Sequence, residues 1–519
     1  MDREEKVSIK GDEPTVHQKG RRSLYTHSDA TSTLLNQGLN LLTITTSDNC
    51  NNNNNDAGSV DQERSSIGNG LTDPKCHKVN CTYVTDVEHG ESSFASGNGC
   101  YESDDESTSS EDDADEDDSD DYLSHLHKNN NSNGTWTIKN GYNLTTFDQL
   151  ECRGKWSNDL PLPLPMWSKN SKPALVIEKI YDYEDIVAHI ETTLQHMIQE
   201  THYDTVNNFV DFYQSYKNAR TKNLGEFFKG YSPKINRQNH MCVSLAMEIV
   251  SRVAILRPDI ANHFFLVSCE EAVEDTISYI AHCEQTNIES AAWNLEKEHA
   301  LVAMKIVVAG REGMLILDPG YHVARVVTVM KDQNYPHTGI FVQSDEIGCK
   351  REYWYTFSHN SDQFISWNER TTRNGQQKYE VSLIYVGRHY RSAVDVTVRR
   401  NLVYEFRSLL SRDAKGRVFA GIYFPVLANT ADANITIFYD EGINNKIFKL
   451  KVKFSAFKDI NNIPDNLMCH LTILASQLRM ELPTLINTLK NSADIVADSD
   501  FVAQMLSIND GISELSADN

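Results

Sequence analysis

A thiol becomes a working nucleophile when an imidazole takes its proton, a carboxylate orients that imidazole, and nearby donors hold the oxyanion that forms. This 519-residue chain offers those parts in order: Cys242, then His299 57 residues later, then Asp318 after 19 more. Cys242 heads an apolar-striped segment, and a cysteine opening a helix gains from the helix dipole and from unpaired backbone amides. Gln238 and Asn239, just ahead of it, are candidate oxyanion donors together with the Cys242 amide. The chemistry implied is acyl transfer, or hydrolysis of an amide or thioester.

Local pattern supplies the elements that must position these groups. Residues 239–256 predict a helix that buries Leu245, Ile249 and Val253 and stops before Pro258. Residues 300–308 predict a strand, Gly310 to Gly313 a turn, and residues 314–320 a return strand. In such a hairpin the two open ends lie side by side, so His299 and Asp318 can hydrogen-bond across the pair. Residues 183–201 and 206–216 have helical periodicity, and 263–268 is a short apolar strand. Strands are expected at 352–357, 379–385, 395–406, 418–426, 434–439 and 446–454, forming an antiparallel subdomain. Helices at 467–480 and 482–490 then lead into a polar tail with one apolar turn at 501–506.

Three pieces carry a family resemblance. Cys242-Val243-Ser244-Leu245-Ala246 resembles the cysteine helix of the transglutaminase-like proteins, with Ala four positions after Cys. Glu298-His299-Ala300-Leu301-Val302 is similar to the histidine strand of both that group and the arylamine N-acetyltransferases. Leu317-Asp318-Pro319-Gly320-Tyr321 resembles the aspartate ending of the acetyltransferases, and its Asp-Pro pair equally resembles the transglutaminase version. The strands from Gly416-Arg417-Val418 onward, followed by a C-terminal helix, are similar to the acetyltransferase barrel and lid. The resemblance implies an α+β, papain-like fold over residues 181–480. A helical first subdomain would lead into a cysteine helix packed on an antiparallel hairpin and barrel, with Cys242, His299 and Asp318 as a catalytic triad. It also implies acetyl-coenzyme A as one acyl donor. Where the acetyltransferases carry an Arg-Gly-Gly segment before the cysteine, this chain reads Asn236-Arg237-Gln238-Asn239-His240-Met241.

Composition divides the chain. Residues 1–150 hold 28 acidic and 11 basic side chains, so they carry −17 of the whole-chain net charge of −24. They are rich in Ser, Asn, Asp and Gly without periodicity and predict a disordered acidic tail. From Glu102 to Asp121, 13 of 20 residues are acidic and none is basic, a density that holds a chain extended. Ser103, Thr108, Ser109 and Ser110 each have an acidic residue three positions on, the pattern of an acidophilic kinase site; phosphates there would strengthen the attraction of a basic protein partner. Residues 151–180 include Leu160-Pro161-Leu162-Pro163-Leu164-Pro165, a stiff lead-in, and residues 481–519 form a C-terminal helix and tail.

The acidity and the lack of a Lys and Arg cluster argue against nucleic-acid binding. No apolar run approaches the ~18 residues of a membrane span, and no signal segment opens the chain, so a cytoplasmic or nuclear location with free thiols is expected. No metal site is expected: Cys76-His77 with Cys81 lacks a second ligand pair. His282-Cys283 reads as part of a helix or loop near the core. Cys269 and His263 sit on one strand, about 20 Å apart if extended, and do not make a nucleophile-base pair. An enzyme needs the Cys242 sulfur within about 4 Å of an imidazole nitrogen and open to solvent. The competing reading is a degenerate papain-like fold that serves as an interaction module, with the acidic tail recruiting its partner.

Overall fold

The computed structural model describes residues 154–157, 160–233, 235, 238–284, 296–346, 348–429, 433–442 and 446–516. The acidic block, the four candidate phosphorylation sites and Cys76, His77 and Cys81 lie outside the described residues.

After a short strand β1 (Leu175–Ile177), helix α1 (Ile180–Glu200) buries Tyr183, Ile186, Ile190, Leu194 and Met197, one stripe at helical spacing. Strand β2 (His202–Asp204) and helices α2 (Val206–Asn218) and α3 (Leu224–Gly230) follow. Helix α4 (Cys242–Leu256) is apolar on nearly every side, the mark of a central helix, and 12 of its residues are buried. It begins at Cys242 and not at 239. The Met241 amide donates to Ser244 Oγ at 2.7 Å, and the Ser244 hydroxyl donates back to the Met241 carbonyl at 3.2 Å. This local exchange fixes where the helix starts. Pro258 lies just beyond its end.

Strand β3 (Phe264–Glu270) and helix α5 (Thr276–Glu284) come next, and His282 and Cys283 are on that helix. The hairpin is β4 (His299–Val308) and β5 (Arg311–Leu317). Val308 pairs with Arg311, so the turn is only Ala309-Gly310, with φ of 49° and 78°. Two central residues at positive φ match the twist of the flanking strands. Arg311 to Gly313, expected in the turn, are therefore strand. Gly313 must be bare, because a Cβ there would meet Met330 Sδ at 2.6 Å.

β6 (Val327–Met330), β7 (Phe341–Glu346), β8 (Cys349–Phe357), β9 (Phe364–Arg373) and β10 (Gln376–Tyr385) complete a nine-stranded sheet. Its order is β6-β5-β4-β3-β10-β9-β8-β7, antiparallel throughout, with β1 added parallel to the far half of β4. β6 comes back against β8, so the sheet curls into a half-barrel. Side chains alternate across it. Val267, Cys269, Leu301, Ala303, Tyr355 and Trp367 fill the inside, while Leu266, Ala300, Val302 and Met304 pack outward with α1 and α4.

Residues 395–406, expected as a strand, fold instead as a π turn (Val394–Val398) and a helical turn (Arg399–Leu402). The alternation of Val394, Val396 and Val398 with polar residues imitates a strand, but every one of these positions is buried. Asp395 and Arg399 close the turn as an i,i+4 ion pair. A second antiparallel sheet follows: β11 (Phe406–Arg412), β12 (Val418–Pro425), β13 (Asn434–Asp440) and β14 (Ile447–Lys453), ordered β14-β13-β12-β11-β2. It packs with α2 and with α6 (Asp465–Gln477), α7 (Leu482–Val496) and α8 (Ser499–Ser516). The apolar turn at 501–506 is the start of that last helix, whose Phe501, Val502 and Met505 are fully buried. The molecule is thus a mixed α/β protein built around a curled antiparallel half-barrel.

Candidate active site

Local structure brings the three candidate residues to one place. Cys242 is the first residue of α4, His299 the first of β4, and Asp318 the first after β5. Extending the hairpin register sets Asp318 across from Leu301, so His299 is its diagonal neighbour on the same face. His299 Nε2 donates to Asp318 Oδ1 at 2.9 Å, and Cys242 lies beside the same imidazole, both packed against Gly320. With Nε2 committed to the carboxylate, Nδ1 is the nitrogen that meets the sulfur. Asp318 Oδ1 also accepts the Tyr321 amide at 3.1 Å, whereas Oδ2 is buried with no hydrogen-bond partner among the described residues.

The electrostatics favour a charged imidazole. Burial alone would push His299 down, but the Asp318 carboxylate and its hydrogen bond, with the contact to Cys242, hold it well above the ordinary histidine value. A second thiol, that of Cys269, lies directly opposite His299 in the β3–β4 register. Burial, then the charges of Glu271 and Asp318, push that thiol well up, so Cys269 stays protonated beside the ring.

Gly320 explains how helix and hairpin come so close. A Cβ on it would lie 2.8 Å from His299 Cε1 and 2.9 Å from Cys242 Cβ, so no side chain fits between them. Tyr321 stands edge-on to the imidazole, with ring centroids 4.5 Å apart, and its hydroxyl donates to Glu271. The turn that carries Gly320 and Tyr321 is braced from the second sheet. Arg412 Nη1 donates to the Pro319 carbonyl at 2.9 Å, and Gly416 lies so near the His322 carbonyl that a Cβ would approach it to 1.9 Å.

The sulfur is not open. Cys242 is 3% exposed, and His299 and Asp318 are 2% and 1% exposed, so the expected solvent access is missing in this conformation. Gln238 is exposed and Asn239 half-buried on the lead-in to α4, and the Asn239 carbonyl accepts from Asn208 Nδ2 at 3.0 Å. Among the described residues, no cluster of His, Cys, Asp and Glu is arranged to hold a metal, and no helix is long and apolar enough to cross a membrane.

Tyr321 and Gly320 belong to a motif the sequence displays, yet nothing in their spacing indicates a cover over His299 or a bare contact with Cys242. Glu271 and Arg412 carry no local signal, because strand pairing and the second sheet alone bring them to the site. No family model, no curated protein and no solved structure matches the chain.

Proposed function

We propose that this chain is a thiol-dependent acyltransferase or amide/thioester hydrolase with a papain-like arrangement of Cys242, His299 and Asp318. The observation that carries the reading is the meeting of three groups: His299 is hydrogen-bonded to Asp318, and Cys242, at a helix N-terminus, lies beside the same ring. In the reaction, His299 Nδ1 takes the Cys242 proton and the thiolate attacks the substrate carbonyl carbon. The tetrahedral oxyanion then collapses as His299 returns the proton to the departing amine or thiol, leaving an acyl-cysteine. An acceptor amine or water next gives its proton to His299, attacks the acyl carbon and releases Cys242. Asp318 keeps the ring oriented and stabilises the imidazolium. The Cys242 amide supplies one oxyanion donor, with Gln238 or Asn239 as the second. Acetyl-coenzyme A belongs to the thioester class and enters as substrate, not as a resident cofactor.

Turnover on this scheme requires the turn of Gly320 and Tyr321 to move, because Cys242 is closed. That same burial favours the second reading, a fold that keeps the three residues but works as a protein-interaction module through its acidic segment.

Alkylation by iodoacetamide at pH 7 separates the two. Cys242 should be labelled in the wild type, lost as a target in Cys242→Ala, and slowed about 10²-fold in His299→Ala. Labelling of Cys242 at the same rate without His299, or none in the folded wild type, favours the non-catalytic module.

A further inference from the structure

The half-barrel carries a second constellation on its outer side, away from His299 and Asp318. On β3, Ser268 and Glu270 alternate with the inward-facing Val267 and Cys269 and therefore face outward. There the lead-in residue Trp167, helix α5 and the ends of β9 and β10 line a partly open pocket that reaches Lys297 and Arg388, with about 420 Å³ of space when its solvent-open mouth is included.

Its walls have two characters. Trp167 meets Tyr385 edge-on with centroids 5.4 Å apart, and Phe364 lies 5.2 Å from the same tyrosine, giving an aromatic corner. The polar side is rich in donors. The Lys297 ammonium donates to Glu270 and to the Tyr279 hydroxyl, which uses two of its three hydrogens. Ser268 Oγ accepts from Trp167 Nε1 at 3.3 Å and keeps its own hydrogen to offer. Arg388 Nε donates to the Tyr385 hydroxyl at 3.2 Å, and its guanidinium has no carboxylate partner among the described residues. Among the lining side chains Glu270 is matched by Lys297 and Arg388 is unmatched, while Glu296 and Glu298 also act on the Lys297–Glu270 pair. Burial opposes a charge on Lys297, but the Glu270 carboxylate beside it outweighs that and keeps the ammonium protonated.

We infer that this cavity is a binding site for a small aromatic carboxylate. The carboxylate bridges Arg388 and the Lys297–Ser268 donors, and the ring lies in the corner of Trp167, Phe364 and Tyr385. The cavity shares no lining residue with Cys242, His299 and Asp318, so the inference does not depend on the thiol chemistry.

The test is titration of the full chain with benzoate, followed by calorimetry and by tryptophan fluorescence, alongside benzamide (ring without charge) and acetate (charge without ring). Saturable one-to-one binding of benzoate is expected, with benzamide and acetate at least tenfold weaker. Arg388→Gln, an exposed position that leaves the core intact, is expected to weaken benzoate about 10- to 100-fold, the scale of a charge-assisted contact. Cys242→Ala should bind benzoate as the wild type does. Absence of saturable benzoate binding, equal binding of benzamide, or no effect of Arg388→Gln overturns the inference. Loss of binding in Cys242→Ala overturns it too, by moving the site to the thiol.

Discussion

The half-barrel and the second sheet bury charge in opposite ways. In the half-barrel each buried charge faces a side chain that can itself titrate: His299 meets Asp318, and Lys297 meets Glu270. In the second sheet Arg407 and Arg412 are fully buried on β11 and spend their hydrogens on uncharged groups. Arg407 donates to the Asn401 and Leu402 carbonyls and lies 4.2 Å above the Phe209 ring, and Arg412 donates to Pro319 and Thr201 and lies 3.4 Å from Nδ1 of His322, a ring that burial holds neutral. Burial pulls both guanidinium groups down to about 9, which still leaves them charged at neutral pH. A charge matched by a titratable partner can exchange protons and be tuned by its surroundings. One matched by carbonyls is fixed, and it serves to hold chain segments together. Among these pairs the titratable ones lie in the half-barrel and the carbonyl-bound guanidiniums in the second sheet, where Asp204 on β2 is a titratable exception that burial pushes up to about 6.

The largest expected effect breaks a titratable pair. Lys297→Met leaves the Glu270 carboxylate buried without its partner and should cost about 3–5 kcal/mol in urea unfolding at pH 8. Burial already pushes Glu270 up, and without Lys297 to pull it back the folded protein holds that proton more tightly than the unfolded chain does. Such a group adds stability at low pH and loses it as pH rises. The deficit should therefore shrink toward pH 5. Arg412→Met tests the other region: it strands the Pro319 carbonyl and should cost about 2–3 kcal/mol, the same at pH 7 as at pH 8, because a carbonyl does not titrate and burial keeps the neighbouring His322 neutral over that range. A deficit that changed over that range would erase the contrast.

Two smaller effects sharpen the candidate site. Gly320→Ala forces a methyl against His299 Cε1 and Cys242 Cβ and should cost about 1–3 kcal/mol. Thermal unfolding reads the cost, and slower alkylation of Cys242 reads the loss of its imidazole contact. Cys269→Ala removes the other thiol beside His299. It should cost about 1 kcal/mol by urea unfolding and leave the Cys242 alkylation rate unchanged, because Cys269 is held protonated. A large fall in that rate would assign the nucleophile to the wrong cysteine.

Helix α4 and the β4–β5 hairpin were readable because apolar spacing and a glycine turn are local signals, and together they predicted the His299 and Asp318 pairing. The segment 395–406 misled for the same reason: alternating valines carry a strand period, and only the Asp395–Arg399 pair and burial on all sides turn it into helix. The apolar turn at 501–506 was seen, but its membership in an 18-residue helix depends on the core it fills.

The sequence by itself determined the order Cys242, His299, Asp318, the elements that carry them, and the contrast between an acidic first 150 residues and an apolar-rich remainder. Only the tertiary structure decided that the sulfur is closed and that Tyr321, held by Glu271, sits against His299. It also decided that Arg412 reaches across from another sheet, and that Lys297 and Glu270 share an aromatic cavity on the outer face. The physical reason is range. Periodicity and turn chemistry act over a few residues, whereas exposure, charge pairing and cavity walls arise where strands far apart in the chain come into register.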